Sequence, residues 1–170
     1  WIPQTVAGNQ HNQFYIQEEN HFIKVPANKR ESFKGNSRAI AAVDLNNNGK
    51  LDLIVHNLDS APRIYKNNSK SKNKWIKIKL QGSKNNYFGI GAAVKVYTQN
   101  KPTQMKLVSN GSNYLSQEDT TLTFGIGKSK KIEKIEVIWP GNNIQILNGP
   151  IKPNQLIKIV ESSSNESASL

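Results

Sequence analysis

The sequence predicts an all-β protein, and three observations carry that expectation. Apolar and polar residues alternate with period two through most of the chain. Gly and Asn turn signals separate the runs about every ten residues. No segment holds a 3.6-residue apolar period over helical length. In order, the first runs are Arg38-Ala39-Ile40-Ala41-Ala42-Val43 and Leu53-Ile54-Val55-His56, two apolar segments of β-type composition. Trp75-Ile76-Lys77-Ile78-Lys79-Leu80 then sends Ile76, Ile78 and Leu80 to one face and Lys77 and Lys79 to the other, the pattern of a half-buried strand. Ala92-Ala93-Val94-Lys95-Val96-Tyr97 and Gln104-Met105-Lys106-Leu107-Val108 repeat it. Residues 132–139 are ambiguous, because Ile132, Ile135 and Trp139 also fit helical spacing. Their β-branched content and the stop at Pro140-Gly141 favour a strand. Residues 155–161 supply a last strand, and Gly89-Ile90-Gly91, Asn110-Gly111, Pro140-Gly141 and Asn148-Gly149 mark turns.

Composition narrows the function classes. The 170 residues hold no cysteine, which removes disulfide and thiolate chemistry, and their three histidines are not spaced as a paired metal site. No apolar run reaches the ~18–20 residues of a membrane-spanning helix. The chain opens on Trp1 with no charged-then-apolar leader, as expected of a processed product or a fragment. Lys plus Arg number 23 against 12 Asp plus Glu, a net charge of +11. A surface of that sign attracts polyanions, and Lys66, Lys70, Lys72, Lys74, Lys77, Lys79 and Lys84 are the densest cluster. Against a nucleic-acid reader stand only three arginines and aromatics that mostly lie within strand-like runs. The polar run Asn67-Asn68-Ser69-Lys70-Ser71-Lys72-Asn73-Lys74 lacks an apolar anchor and reads as an exposed linker. It divides a region 1–68 from a region 74–161, with a Ser-rich tail, 162–170, expected to be disordered.

One motif carries chemistry. Asp44-Leu45-Asn46-Asn47-Asn48-Gly49-Lys50-Leu51-Asp52 places Asp44, Asn46, Asn48 and Asp52 at loop positions 1, 3, 5 and 9, with Gly49 where the chain must turn sharply. Ca²⁺ takes six to eight oxygens at about 2.3–2.6 Å, and a tight loop offering alternate side chains, with the Lys50 carbonyl at position 7, can wrap it. An EF-hand is excluded, because position 12 is Val55 rather than Glu and both flanks are β-type. Asp44 and Asp52 are the two carboxylates of the set, so the expected affinity is weak, of order 10⁻⁴ to 10⁻³ M. The alternative is a loop without an ion, in which the Asp and Asn side chains accept bonds from backbone N–H groups.

With these residues in view, the segment from Ser37 to Val55 resembles an FG-GAP/VCBS repeat, one blade of an integrin-α-type β-propeller. Asn12-Gln13-Phe14-Tyr15-Ile16-Gln17 with Asn20-His21-Phe22 resembles the outer strands of a preceding blade. From Trp75 onward the chain resembles the ASPIC/UnbV domain, which follows such propellers in extracellular and bacterial proteins. The matching pieces are Gly89-Ile90-Gly91-Ala92-Ala93-Val94-Lys95-Val96, Gly111-Ser112-Asn113-Tyr114-Leu115-Ser116-Gln117, Phe124-Gly125-Ile126-Gly127 and Ile135-Glu136-Val137-Ile138-Trp139-Pro140-Gly141. The resemblance implies partial β-propeller blades followed by a small antiparallel β-sandwich or barrel-like module. It also implies neighbouring blades in a longer chain, a calcium loop, and a secreted, cell-surface or periplasmic location.

It further implies a non-enzymatic adhesion or binding role. An enzyme needs a nucleophile with a base, or two carboxylates in one pocket. Glu118-Asp119 is the nearest acidic pair, yet neighbouring strand residues face opposite ways. His56 has no close acidic neighbour in sequence beyond Asp59. Trp139-Pro140 reads as a strand-terminal core aromatic or, less simply, as a sugar-stacking platform. The ligand expected is a protein or a glycan, with polyanion binding through the lysine cluster as the other reading.

Overall fold

The computed structural model describes residues 10–26, 34–58, 60–84, 86–99, 101–111 and 117–162. Fourteen strands and no helix appear among them, as the period-two pattern requires. The first region holds three small antiparallel sheets. β1 (Gln10–His11) pairs β4 (Lys34–Gly35), and β2 (Tyr15–Glu18) forms a hairpin with β3 (His21–Lys24). β5 (Ser37–Val43), β6 (Asp52–Asn57) and β7 (Arg63–Tyr65) form a meander, with Val43 opposite Asp52 across the first turn. Every residue of β2 and β3 is exposed.

The second region contains two sheets. β10 (Lys101–Leu107), β9 (Ala93–Thr98), β12 (Ile132–Ile138) and β13 (Ile144–Ile151) form an antiparallel sheet of four. β11 (Leu122–Gly127), β8 (Lys74–Gln81) and β14 (Gln155–Val160) form a sheet of three. One apolar core joins them: Ile76, Ile78, Leu80, Phe124, Ile126 and Ile159 from the smaller sheet meet Val94, Val96, Ile132, Ile135, Val137, Leu147 and Ile151 from the larger. Trp139 closes one end, its indole Nε1 donating to Gln145 Oε1 at 3.0 Å. At 2 % exposure its ring belongs to this core, which removes it as a sugar platform.

Two expectations need correction, and the ambiguous stretch is a strand over Ile132–Ile138, as favoured. The sandwich is not wholly antiparallel, because β14 pairs β8 in parallel, with Gln155 opposite Ile76 and Val160 opposite Gln81. The helix-like spacing of Ile132 and Ile135 comes from a register shift between Ile132 and Lys134, where an irregularity in the strand turns both isoleucines inward. Asn148-Gly149 lies within β13 rather than in a turn. A side chain at Gly149 would collide with the Ile132 and Glu133 carbonyls, so its glycine serves a close backbone approach at that shift. Of the tail expected to be disordered, Ser162 is half-buried and its N–H donates to Gln145 Oε1 at 3.2 Å, while 163–170 lie outside the described residues. Residues 1–9, 27–33, Asp59 and 112–116, the last within a quoted ASPIC/UnbV piece, lie outside them too.

Candidate functional site

Loop 44–52 joins β5 to β6, and its backbone does what the motif predicts. Gly49 has φ of +81°, the left-handed region that glycine tolerates, and any Cβ there would overlap the Trp75 indole. The two carboxylates turn inward: Asp44 is 9 % and Asp52 3 % exposed. Asp44 Oδ1 accepts the Asn48 N–H at 3.0 Å and Oδ2 the Gly49 N–H at 2.7 Å. Asp52 Oδ2 accepts the Leu45 N–H at 3.3 Å and Oδ1 the Asn67 N–H at 2.7 Å. Each carboxylate thus satisfies backbone donors that would otherwise be stranded in a tight turn.

The amides divide. Asn48 Oδ1 accepts the Lys50 N–H at 2.9 Å, an Asx turn, and Asn46 is exposed. Asn47, which the alternate-position motif omits, is exposed as well, yet its Oδ1 accepts a hydrogen bond. The donor is a lysine from the second region: Lys77 Nζ lies 2.6 Å from Asp44 Oδ2 and donates to Asn47 Oδ1 at 3.1 Å. The ammonium also stands 5.6 Å from the Trp75 ring centroid. The side chains of Lys77 and Asp44 are 9 % and 1 % exposed. Burial by itself pushes the Asp44 pKa up. The hydrogen bonds from Lys77, Gly49 and Asn48 and the lysine's charge outweigh it, and the carboxyl is held below its ordinary value.

Lys77 therefore departs from the sequence expectation in an instructive way. It does point away from the core, as alternation demands, yet it is 7 % exposed because loop 44–52 covers the outer face of β8. The loop's seat on that face has further ties. Asn67 Nδ2 donates to the Leu51 carbonyl at 3.2 Å, and Lys50 Nζ donates to the Ser69 carbonyl, so the start of the unanchored-looking linker is fastened by polar contacts. A cleft of about 540 Å³ remains beside the loop, lined by Asp44, Asn47, Lys77, Lys79, Lys106 and Glu118 among others.

The donor chemistry of Asp44, Asn46, Asn48, Asp52 and the Lys50 carbonyl suits a hard cation. The position on Asp44, however, is shared with an ammonium, and like charges ~4 Å apart repel by about 4 kcal/mol at an effective dielectric near 20, twice that for a divalent ion. Among the described residues no group of three or more His, Asp or Glu side chains is arranged to hold a metal.

The remaining candidates are dispersed. Asp119 accepts the Thr121 N–H at 3.2 Å, and Glu118 is half-buried at the cleft. Lys106 Nζ donates to the Thr123 carbonyl at 2.7 Å; burial pushes its pKa down, with Glu118 opposing. His56 is exposed on β6. Of the lysine cluster, Lys66, Lys70, Lys72, Lys79 and Lys84 are exposed, Lys74 is half-buried, and Lys77 is turned to Asp44.

A polar cluster that sequence reading passed over lies on the larger sheet. Glu136 takes Lys95 Nζ at 2.9 Å, Lys134 Nζ at 3.2 Å and the Tyr97 hydroxyl at 3.2 Å, and Lys134 sits 4.0 Å over the Tyr97 ring. Opposite charges at facing positions of β9 and β12 were its available signal.

Comparison with known proteins adds the lineage of the second region. Cartilage acidic protein 1 of Xenopus tropicalis is 30 % identical over 107 residues, covering 61 % of this chain and 16 % of the relative. Its human counterpart is 26 % identical over 110 residues, covering 63 % and 16 %. The chain thus spans about a sixth of the length of these curated relatives. The family described as ASPIC and UnbV matches residues 82–166, from the end of β8 through β14. With half of its residues matched, the chain belongs to the ASPIC and UnbV family.

Proposed function

We propose that this chain is a non-enzymatic binding or adhesion part of a secreted extracellular protein, with residues 1–68 a propeller-blade region of FG-GAP/VCBS type, residues 74–161 the ASPIC/UnbV module, and loop 44–52 a weak calcium site. The observation that carries the reading is the use made of the buried carboxylates. Asp44 and Asp52 organise a turn through backbone N–H groups, and Asp44 ties it to β8 through Lys77, a structural task rather than acid–base work. Membership of the ASPIC and UnbV family and similarity to cartilage acidic protein 1 support the extracellular setting. In this reading Asp44, Asn46, Asn48, the Lys50 carbonyl and Asp52 would hold the ion. Its partner would be a protein or a glycan, with neighbouring blades supplied by a longer chain.

The test is calorimetric melting of the purified chain in chelator and in calcium. With a Kd near 0.1 mM, ~1 mM calcium adds about 1.4 kcal/mol, which raises Tm by about 3–6 °C for a protein of this size. An unchanged Tm at ~10 mM calcium, of order ten times the weakest expected Kd, removes the calcium site from the reading. The exposed lysines Lys66, Lys70, Lys72, Lys79 and Lys84 favour polyanion contact as a second reading, recognisable by heparin retention that weakens steeply with salt.

A further inference from the structure

We propose that Lys77 is the resident cation of loop 44–52: its ammonium closes the loop's oxygen-lined centre, fastens the first region to the second, and has to leave before a divalent ion can bind. The last clause rests on the calcium reading above; the first two do not. Three observations carry them. The ammonium is within bonding distance of one carboxylate and one amide oxygen of the loop, at 2.6 Å and 3.1 Å. Both members of the ion pair are nine-tenths or more buried, so neither is satisfied by solvent if the other is removed. The two partners belong to different regions of the chain, Asp44 directly after β5 and Lys77 in the middle of β8, which lies in another sheet.

The surroundings are shaped to this lysine. Trp75, two residues earlier on the same strand face, offers its ring to the ammonium. Gly49 leaves room for that indole, since any side chain there would occupy its place. The positive φ of Asn47, 56°, is a conformation that Asn tolerates better than most residues, and it is the side-chain Oδ1 of this residue that meets Lys77. A lysine supplies one charge and three donors at a fixed tether. It neutralises Asp44 at any calcium concentration, whereas an ion would do so only when plentiful.

The experiment is a double-mutant cycle on the full chain, with Lys77→Met, Asp44→Asn and the pair together, melted in EDTA, alongside calcium titration of the wild type and Lys77→Met. Coupling is expected: each single variant lowers Tm by about 4 °C or more, and the double variant falls by clearly less than the sum of the two. Strictly additive losses overturn the ion-pair role. Lys77→Met is expected to bind calcium at least about tenfold more tightly than the wild type, the factor that ~1.4 kcal/mol represents. Equal or weaker binding by Lys77→Met, with the wild type binding, overturns the displacement clause alone. If neither protein binds calcium, the calcium site fails together with that clause, and coupling in EDTA still decides the ion pair. Lys77→Arg, which keeps the charge, is expected to restore most of the lost Tm should Lys77→Met fold poorly.

Discussion

The two regions of this chain achieve order by different means. In the second, sixteen buried apolar side chains, from two sheets and the residues that flank their strands, form one core. In the first, among the described residues, Val55 is the buried apolar side chain, and the other buried groups are Asp44, Asp52 and Asn57. Tyr15, Ile16, Phe22 and Ile23 on the β2–β3 hairpin and Ile64 on β7 are all exposed. The second region is therefore stabilised chiefly by removing apolar area from water, at roughly 25 cal/mol per Å². The first holds together through directed polar contacts: carboxylates gathering backbone N–H groups, Ser37 Oγ donating to Asn57 Oδ1 at 2.9 Å, Asn57 Nδ2 donating to the Ala61 carbonyl at 3.1 Å. Apolar burial tolerates small shifts, whereas each of these contacts depends on one geometry. The lesson is that damage in the second region scales with volume lost, and damage in the first with which donor is stranded.

Substitutions can break or sharpen that contrast. The largest effect belongs to the core: Phe124→Ala is expected to cost about 3–5 kcal/mol in urea unfolding, while Ile64→Ala, also a loss of apolar volume, stays within about 0.5 kcal/mol. Comparable losses at the two positions would contradict the contrast. Next comes Gly49→Ala, which removes almost no apolar area yet combines a disfavoured φ with displacement of Trp75. An expected loss of about 2 kcal/mol makes it a backbone-geometry effect inside the polar region. A neutral Gly49→Ala would show that the loop relaxes freely.

The smallest effect is the surface cluster around Glu136. The Lys95 hydrogen bond, opposed by burial and helped by Lys134, Tyr97 and the charge of Lys95, holds its carboxyl below the ordinary value. A carboxyl depressed on folding adds stability above its unfolded pKa of about 4.3, and that stability is lost as pH falls through the folded value. Glu136→Gln should therefore cost about 0.5 kcal/mol at neutral pH and nothing at the acid end, where the two unfolding curves converge. A constant difference across the range would mean that packing, not charge, sets the loss.

How much of this was legible in the sequence follows from how local each feature is. Strand alternation at Trp75 to Leu80 and the bend at Gly49 are dictated within a few residues, and both are present. The inward turn of Asp44 and Asp52 follows from the same local chemistry. The role of Asn47 was missed because a metal template selects alternate positions, while the bend itself decides which amide reaches the lysine. The burial of Lys77 depends on a loop thirty residues away, and period two reports only that the side chain leaves the core, not what waits on the other side. Ile132 and Ile135 were ambiguous because a strand irregularity imitates a helical interval. The parallel pairing of β8 with β14 is beyond any local pattern, since it joins strands some eighty residues apart.

That pairing has a mechanical consequence. β8 and β14 run the same way, with six aligned residue pairs from Gln155 opposite Ile76 to Val160 opposite Gln81. The chain enters β8 at one end of the pair and leaves β14 at the other. Tension between those two points would slide the strands past each other and load the interstrand bonds together, not peel them one at a time. A pull applied at Lys74 and Val160 would therefore meet the β8–β14 bonds in shear.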